Sequence, residues 1–311
     1  MPLPSSQENG KASARFRRRV APRTQRRGFS IFLTCDVSGI LLSFVLRCTQ
    51  ERKGGSVMQP VLKIESLKKY YGKGENQTKA IDGITFEVMP GEFLGIMGAS
   101  GSGKSTLLNC IAAVISPTAG TIEMDGTAIN KLSGSELAKY RGQQMGYLFQ
   151  NFELIDNLTG KENILLPVSL HNSKADEERL MKLASYLEIT EILNKFPSQM
   201  SGGEKQRIAA ARALILNPGM ILCDEPTGAL DSKNAKALMT KLEGLNQQEG
   251  ATILMVTHDS NAASFCSRIM FIQDGKLFHE IRKEDQESRQ DFYERILKVL
   301  AQLGGGVANV L

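Results

Sequence analysis

Apolar and polar positions divide the chain into short β-type runs and longer stretches of helical period. Residues 61–67, 84–88 and 93–97 have the composition of short strands, and Pro90-Gly91 marks a tight turn between the last two. Asp125-Gly126 and Asp274-Gly275 each interrupt such runs and predict hairpin turns. Helices are predicted from Lys104 to about Val114, ended by Ser116-Pro117, and over residues 175–187, 204–216 and 235–247. Asn217-Pro218-Gly219 stops the third of these. Between them lie two apolar, β-rich runs, residues 220–223 and 252–256. Buried strands alternating with helices predict an α/β fold with a mostly parallel sheet. Phe292, Ile296, Val299, Leu300 and Leu303 recur at helical spacing, so residues 284–311 should form an amphipathic helix packed on its own domain, followed by a tail that residues 304–306 release.

Charge is unevenly spread along this pattern. The net charge is +5, yet residues 1–57 hold 11 Lys+Arg and 3 Asp+Glu, whereas the remaining 254 residues hold 27 and 30. The main part has no basic excess, and no nucleic-acid partner is expected for it. At 41% apolar and 23% charged the chain is neither disordered nor collagenous. Five cysteines without CxxC spacing and three scattered histidines do not suggest a zinc or redox centre; the cysteines read as small buried residues in a reducing compartment. After residue 58 no apolar run approaches the roughly 18 residues that span a bilayer, so that part is expected to be soluble.

The Arg-rich leader precedes residues 29–46, of which 12 of 18 are apolar, an order that resembles a signal or anchor segment. Arg26 and Arg27 before Phe29 are also similar to a twin-arginine export signal. Asp36 interrupts the apolar run, where a carboxylate costs about 2.5–3.5 kcal/mol on insertion. Lys53-Gly54-Gly55 can be encoded to contain AAAGGAGG, a ribosome-binding sequence, with seven nucleotides left before the codon of Met58. Met58 is therefore the expected start, and residues 1–57 are expected to be a disordered leader or translated upstream sequence.

The chemistry concentrates in the main part. Gly98, Ala99, Ser100, Gly101, Ser102, Gly103, Lys104, Ser105 and Thr106 fit GxxxxGK[ST], placed between a predicted strand and a predicted helix. Glycines let successive backbone N–H groups curl around nucleotide phosphates, and the helix N-terminus adds its positive dipole. Lys104 is expected to reach the β- and γ-phosphates and Ser105 to ligate Mg²⁺. The apolar run 220–223 delivers Asp224 and Glu225 to its C-terminal end. Asp224 is expected to hold Mg²⁺, and Glu225 to orient or deprotonate the attacking water.

Met200, Ser201, Gly202, Gly203, Glu204, Lys205, Gln206 and Arg207 follow the form of the LSGGQ signature, with Met200 and Glu204 replacing its first and last letters. With the phosphate loop, the acid strand and His258, the chain resembles an ATP-binding cassette (ABC) ATPase. The resemblance implies a P-loop NTPase fold over residues 58–283, with a mostly parallel core sheet, an antiparallel β subdomain and a helical subdomain inserted at about 151–217. It implies that Gln150 senses Mg²⁺ and the γ-phosphate and relays that state to a membrane partner. It further implies that His258 contacts the γ-phosphate, that Asp231 lies in a loop crossing a dimer interface, and that Tyr71, with Tyr70 as competitor, stacks on adenine.

One phosphate loop and one signature per chain imply a homodimer, because in this family each ATP is sandwiched between the loop of one subunit and the signature of another. ATP and Mg²⁺ are the expected cofactors. A separate integral membrane permease is expected to dock near residues 150–159, placing the chain at the cytoplasmic face of the cell membrane. Within the family, Asp156 to Pro167, Glu225 to Lys233, Met255 to Asp259 and Arg289 to Tyr293 resemble the bacitracin-resistance type of antimicrobial-peptide transporter, in the group that includes lipoprotein-releasing and macrolide-exporting ATPases. Those ATPases are the alternative within transport, and DNA-repair or translation ATPases the alternative outside it.

Overall fold

The computed structural model describes residues 59–304 except 172–173. The leader, Met58 and the tail beyond residue 304 lie outside the described residues. The chain opens with β1 (Leu62–Tyr71), β2 (Thr78–Val88) and β3 (Phe93–Met97), followed by α1 (Lys104–Ile111). A hairpin of β4 (Ala119–Met124) and β5 (Thr127–Ala128) turns at Asp125-Gly126, as predicted. Next come α2 (Gly134–Gln144) and β6 (Met145–Leu148), then α3 (Gly160–Leu170), α4 (Glu177–Tyr186) and α5 (Gly202–Leu214). The order closes with β7 (Met220–Asp224), α6 (Ser232–Glu249), β8 (Ile253–Thr257), α7 (Ser260–Ala263), β9 (Arg268–Gln273), β10 (Lys276–Arg282) and α8 (Arg289–Gly304).

Two sheets result among the described residues. One is antiparallel, in the order β2-β1-β4-β5. The other runs β10-β9-β3-β8-β7-β6; its strands are parallel except β10, which pairs antiparallel with β9 across the Asp274-Gly275 turn. The period-two geometry of a strand sends alternate side chains to opposite faces. Ile221 and Cys223 enter one core with Ile253, Met255 and the helices α3 to α6. Met220 and Leu222 enter another with Leu254, Val256, α1 and the antiparallel sheet. Apolar side chains on both faces are why these runs show no polar alternation.

Local signals set the helix starts. Thr159 and Ser201 each form a capping box, with Glu162 and Glu204 respectively, so that orphan N–H groups of the first turn are paired. Asp231 caps α6 by accepting from the N–H groups of Lys233 and Asn234, both at 3.0 Å. α8 lays Phe292, Ile296 and Val299 into the first core, so the amphipathic C-terminal helix packs on its own domain. Among the described residues no helix is long and apolar enough to cross a membrane.

Candidate active site

The loop between β3 and α1 has two glycines, Gly98 and Gly103, that leave no room for a side chain. A Cβ on Gly98 would lie 2.2 Å from the carbonyl oxygen of Ile272. Gly103 has φ 103°, and a Cβ there would lie 2.2 Å from the carbonyl oxygen of Ala80. Lys104 is buried and turns back under the loop, its Nζ donating to the carbonyls of Gly98 at 2.8 Å and Ala99 at 2.9 Å. Burial pushes its ammonium pKa down, opposed by the nearby Glu225 and Asp224 carboxylates. The side chain is thus a preplaced cation under a glycine-rich loop at a helix N-terminus, the arrangement that receives a polyphosphate.

β7 ends on the two acids. The Ser105 hydroxyl donates to Asp224 Oδ1 at 3.2 Å, and burial raises the Asp224 carboxyl above its ordinary range. Glu225 follows with φ 46°, a left-handed conformation that is uncommon for a side-chain-bearing residue and clusters at functional sites. Its N–H donates to the Val256 carbonyl and its carbonyl accepts from Gly228, both at 2.9 Å, which fixes a tight turn. The carboxylate Oε2 meets His258 Nδ1, an imidazole carried just past the end of β8. Gly228 leaves room for Gln150: a Cβ there would stand 2.8 Å from Gln150 Nε2. A cleft of about 840 Å³ is walled by Ser100, Lys104, Thr106, Gln150, Glu225 and His258, together with Ser105, Gly101 and Gly103.

The two neighbouring tyrosines are distinguished by their contacts. Tyr70 donates its hydroxyl to Asp82 Oδ1 at 2.6 Å, which raises the phenol pKa and lowers that of Asp82. Tyr71 is 44% exposed at the end of β1, with Lys69 Nζ 5.1 Å from its ring centroid. Its ring is the more exposed of the two.

Not every predicted residue meets in this cleft. Gly98, Ala99 and Ser102 of the loop do not line it, nor do Asp224, which reaches it only through Ser105, or Tyr71, Ser201, Gly202, Gly203, Glu204 and Asp231. Ser201 and Gly202 are exposed at the start of α5, and the Glu204 carboxylate folds back to accept from the Ser201 N–H at 2.7 Å, which holds its pKa down. Gly203 packs where a Cβ would strike Asn234 Oδ1 at 2.4 Å, and Asn234 in turn donates to Asp231 at 2.6 Å. Sequence reasoning missed Thr78, Lys79 and the cleft role of Asp274 and Gly275. The last pair reads as a plain hairpin turn, yet Gly275 donates to the Ser102 carbonyl at 3.2 Å and accepts from the Asp82 N–H at 2.8 Å, tying the phosphate loop to β2. Nothing local in the sequence announces that contact.

A glycine-rich loop between a strand and a helix, with acids at the end of a parallel strand one place beyond its neighbour in the same sheet, defines a P-loop nucleotide-binding protein. The model of the family described as ABC transporter matches residues 81–228. The bacitracin export ATP-binding protein BceA of Halalkalibacterium halodurans is 47% identical over 247 residues, spanning 79% of this chain and 97% of that protein. The macrolide export ATP-binding/permease protein MacB of Mannheimia succiniciproducens is 39% identical over 226 residues, 72% of this chain and 35% of that protein. The dimeric structure of the ABC transporter cassette MJ0796 superposes with a TM-score of 0.67 at 40% identity, covering 72% of this chain and 99% of that one. A second structure of MJ0796, dimeric and bound to ADP and Pi in a post-hydrolysis state, matches equally well. The chain belongs to the ABC transporter family and is an ATP-binding, ATP-hydrolysing subunit of that class.

Proposed function

We propose that this subunit powers a separate membrane permease in the export of, or resistance to, antimicrobial peptides of the bacitracin kind. The observation that carries the reading is the division of the site. The loop, Glu225, Gln150 and His258 share one cleft, while the exposed helix start at Ser201 and Gly202 lies outside it. An exposed helix N-terminus with its positive dipole suits a γ-phosphate held by a second copy, so a homodimer completes two sites. Similarity to a bacitracin export protein over nearly the whole of that protein supports the substrate class.

In this reading Lys104 and the N–H groups of residues 98–106 bind the phosphates, and Tyr71 stacks on adenine. Glu225 takes the proton of the attacking water, His258 orients that carboxylate and the γ-phosphate, and Gln150 reports the state of the site to the permease. Mg²⁺ fits the residues present. Ser105 and Asp224 bring two oxygen donors together at 3.2 Å, and burial has made the Asp224 charge unfavourable without a cation. Ser105, Asp224 and Gln150 would hold it, and when bound it offsets charge on the β- and γ-phosphates. The domain would run over residues 58–283, with 151–217 as the helical subdomain. Its place would be the cytoplasmic face of the membrane, the permease docking near residues 150–159, where Ile155 is 41% exposed.

The test is co-purification from membranes with identification of the bound permease. Recovery with a single permease bearing a large external domain, together with peptide-antibiotic sensitivity on deletion, supports the reading. Recovery with a lipoprotein-releasing or macrolide-exporting permease replaces the substrate class, and recovery only with ribosomes or DNA overturns transport.

A further inference from the structure

The helix headed by the signature reaches both loops that bear the catalytic groups. Gln206 on α5 is fully buried, and its Nε2 donates to the carbonyls of Phe149 at 3.2 Å and Pro226 at 2.9 Å. Those carbonyls belong to the residue just before Gln150 and the residue just after Glu225. Arg212 lies further along the same helix and donates to the carbonyls of Phe152 at 2.7 Å and of Glu153. Phe152 and Glu153 have φ 63° and 48°. Two consecutive left-handed residues with side chains cost about 1–2 kcal/mol each and persist only where surroundings hold them.

The Gln206 side chain is also incompletely satisfied, since its buried Oε1 has no hydrogen-bond partner. On a helix face otherwise filled by Ala209, Ala210 and Ala213, an apolar side chain would avoid that desolvation. A polar group kept under those terms, aimed at these two carbonyls, is better explained by position than by stability. We infer that Gln206 and Arg212 are positioning residues that make α5 the common mount of the Gln150 loop and the Glu225 turn, so that movement of residues 149–153 reaches Glu225 and the helix start at Ser201 together. The inference rests on the catalytic reading of Glu225 given above.

The test compares full-length Gln206→Met, Arg212→Met and Arg212→Lys with wild type. Three readouts are taken: hydrogen exchange by mass spectrometry, ATP turnover against ATP concentration, and the thermal midpoint. Gln206→Met should speed exchange in both the 149–153 and 225–228 segments, and Arg212→Met chiefly in the first. Turnover per folded molecule should fall about tenfold or more in both, with KM within about threefold, since a displaced catalytic group costs rate rather than binding. Arg212→Lys, which keeps one donor group, should recover part of the loss. Turnover within about twofold of wild type in both Met variants, or faster exchange with no loss of turnover, overturns the inference; these bounds sit well inside the effect expected of misplacement. If Gln206→Met does not fold, the Arg212 pair decides alone: equal turnover of Lys and Met variants overturns the inference. Glu225→Gln is run in parallel. Wild-type turnover in that variant removes the catalytic reading, and the mount is then judged on exchange alone.

Discussion

Replacing Glu225 by Gln isolates the chemical role of one carboxylate. The substitution is isosteric, and what fixes the turn is backbone: the N–H to Val256 and the carbonyl accepting from Gly228 both remain. The left-handed φ of 46° is shared equally by either side chain. What is lost is the carboxylate proposed as the base, which lines the cleft in contact with His258. General-base catalysis contributes about 10²–10⁴-fold, or roughly 3–5 kcal/mol at 1.36 kcal/mol per decade. ATP binding should be unchanged or tighter, because Lys104 and the loop are untouched and one negative charge lining the cleft is gone. The assay is phosphate release at saturating ATP and Mg²⁺, paired with the affinity of a fluorescent ATP analogue. Turnover reduced less than about threefold would refute the assignment, since it falls far short of the general-base range. So would a loss confined to affinity.

The other predictions concern the frame around that group. Gly103→Ala adds a Cβ 2.2 Å from the Ala80 carbonyl at φ 103°, so backbone strain and overpacking together should destabilise by about 2–5 kcal/mol in urea unfolding; a change under about 1 kcal/mol would contradict the geometry. Tyr71→Ala should weaken ATP binding by about 1–3 kcal/mol through lost stacking, while Tyr70→Phe, which removes only the hydroxyl held by Asp82, should leave affinity unchanged in the same titration. Glu204→Gln should remove an acid-sensitive contribution. The native carboxyl is held below its ordinary value of 4.5 chiefly by the Ser201 N–H, so its stabilisation is present above that value and is lost as pH falls through the lower folded one. Urea midpoints should therefore show a shallower acid limb in Glu204→Gln than in wild type, with about 0.3–1 kcal/mol lost at pH 7.

Much of the site was legible because its chemistry is local. The phosphate loop needs consecutive residues in one turn, and the acids need the end of one apolar strand, so both announce themselves in a single window. The predicted strand at Phe93–Met97 keeps its bounds, and the helix predicted to start at Glu204 begins at Gly202, since the capping box sets its start. Other elements escaped because their stability comes from elsewhere. α2 has no buried residues and no apolar stripe to read. α3 contains Pro167, a signal against a helix, yet its capping box and its packing of Ile164 and Val168 carry it through. β1 runs on to Tyr71 past a left-handed Ser66, because pairing with β2 continues beyond the irregularity. The grip of Gln206 and Arg212 on residues 149–153 spans about 60 positions and leaves no local trace.

Strand order supplies what spacing could not. β8 lies between β3 and β7, with Met97 level with Thr257 and Asp224 level with Val256. Glu225 is therefore level with Thr257, and the loop starts at Gly98 as His258 leaves β8 on the neighbouring strand. In a parallel sheet all these C-terminal ends share one edge, which is where such folds bind ligands. The imidazole consequently stands between the phosphate loop on one side and the Glu225 turn on the other, as its contact with Glu225 records. A one-residue slip of β8 would turn Thr257 outward and carry His258 to the opposite face of the sheet, because side chains alternate along a strand. The buried run Ile253–Thr257, apolar on both faces, offers no alternation of its own to fix that register. It is fixed instead from both sides, by β3 and β7, so the position of the histidine depends on the same two strands that deliver the loop and the acids.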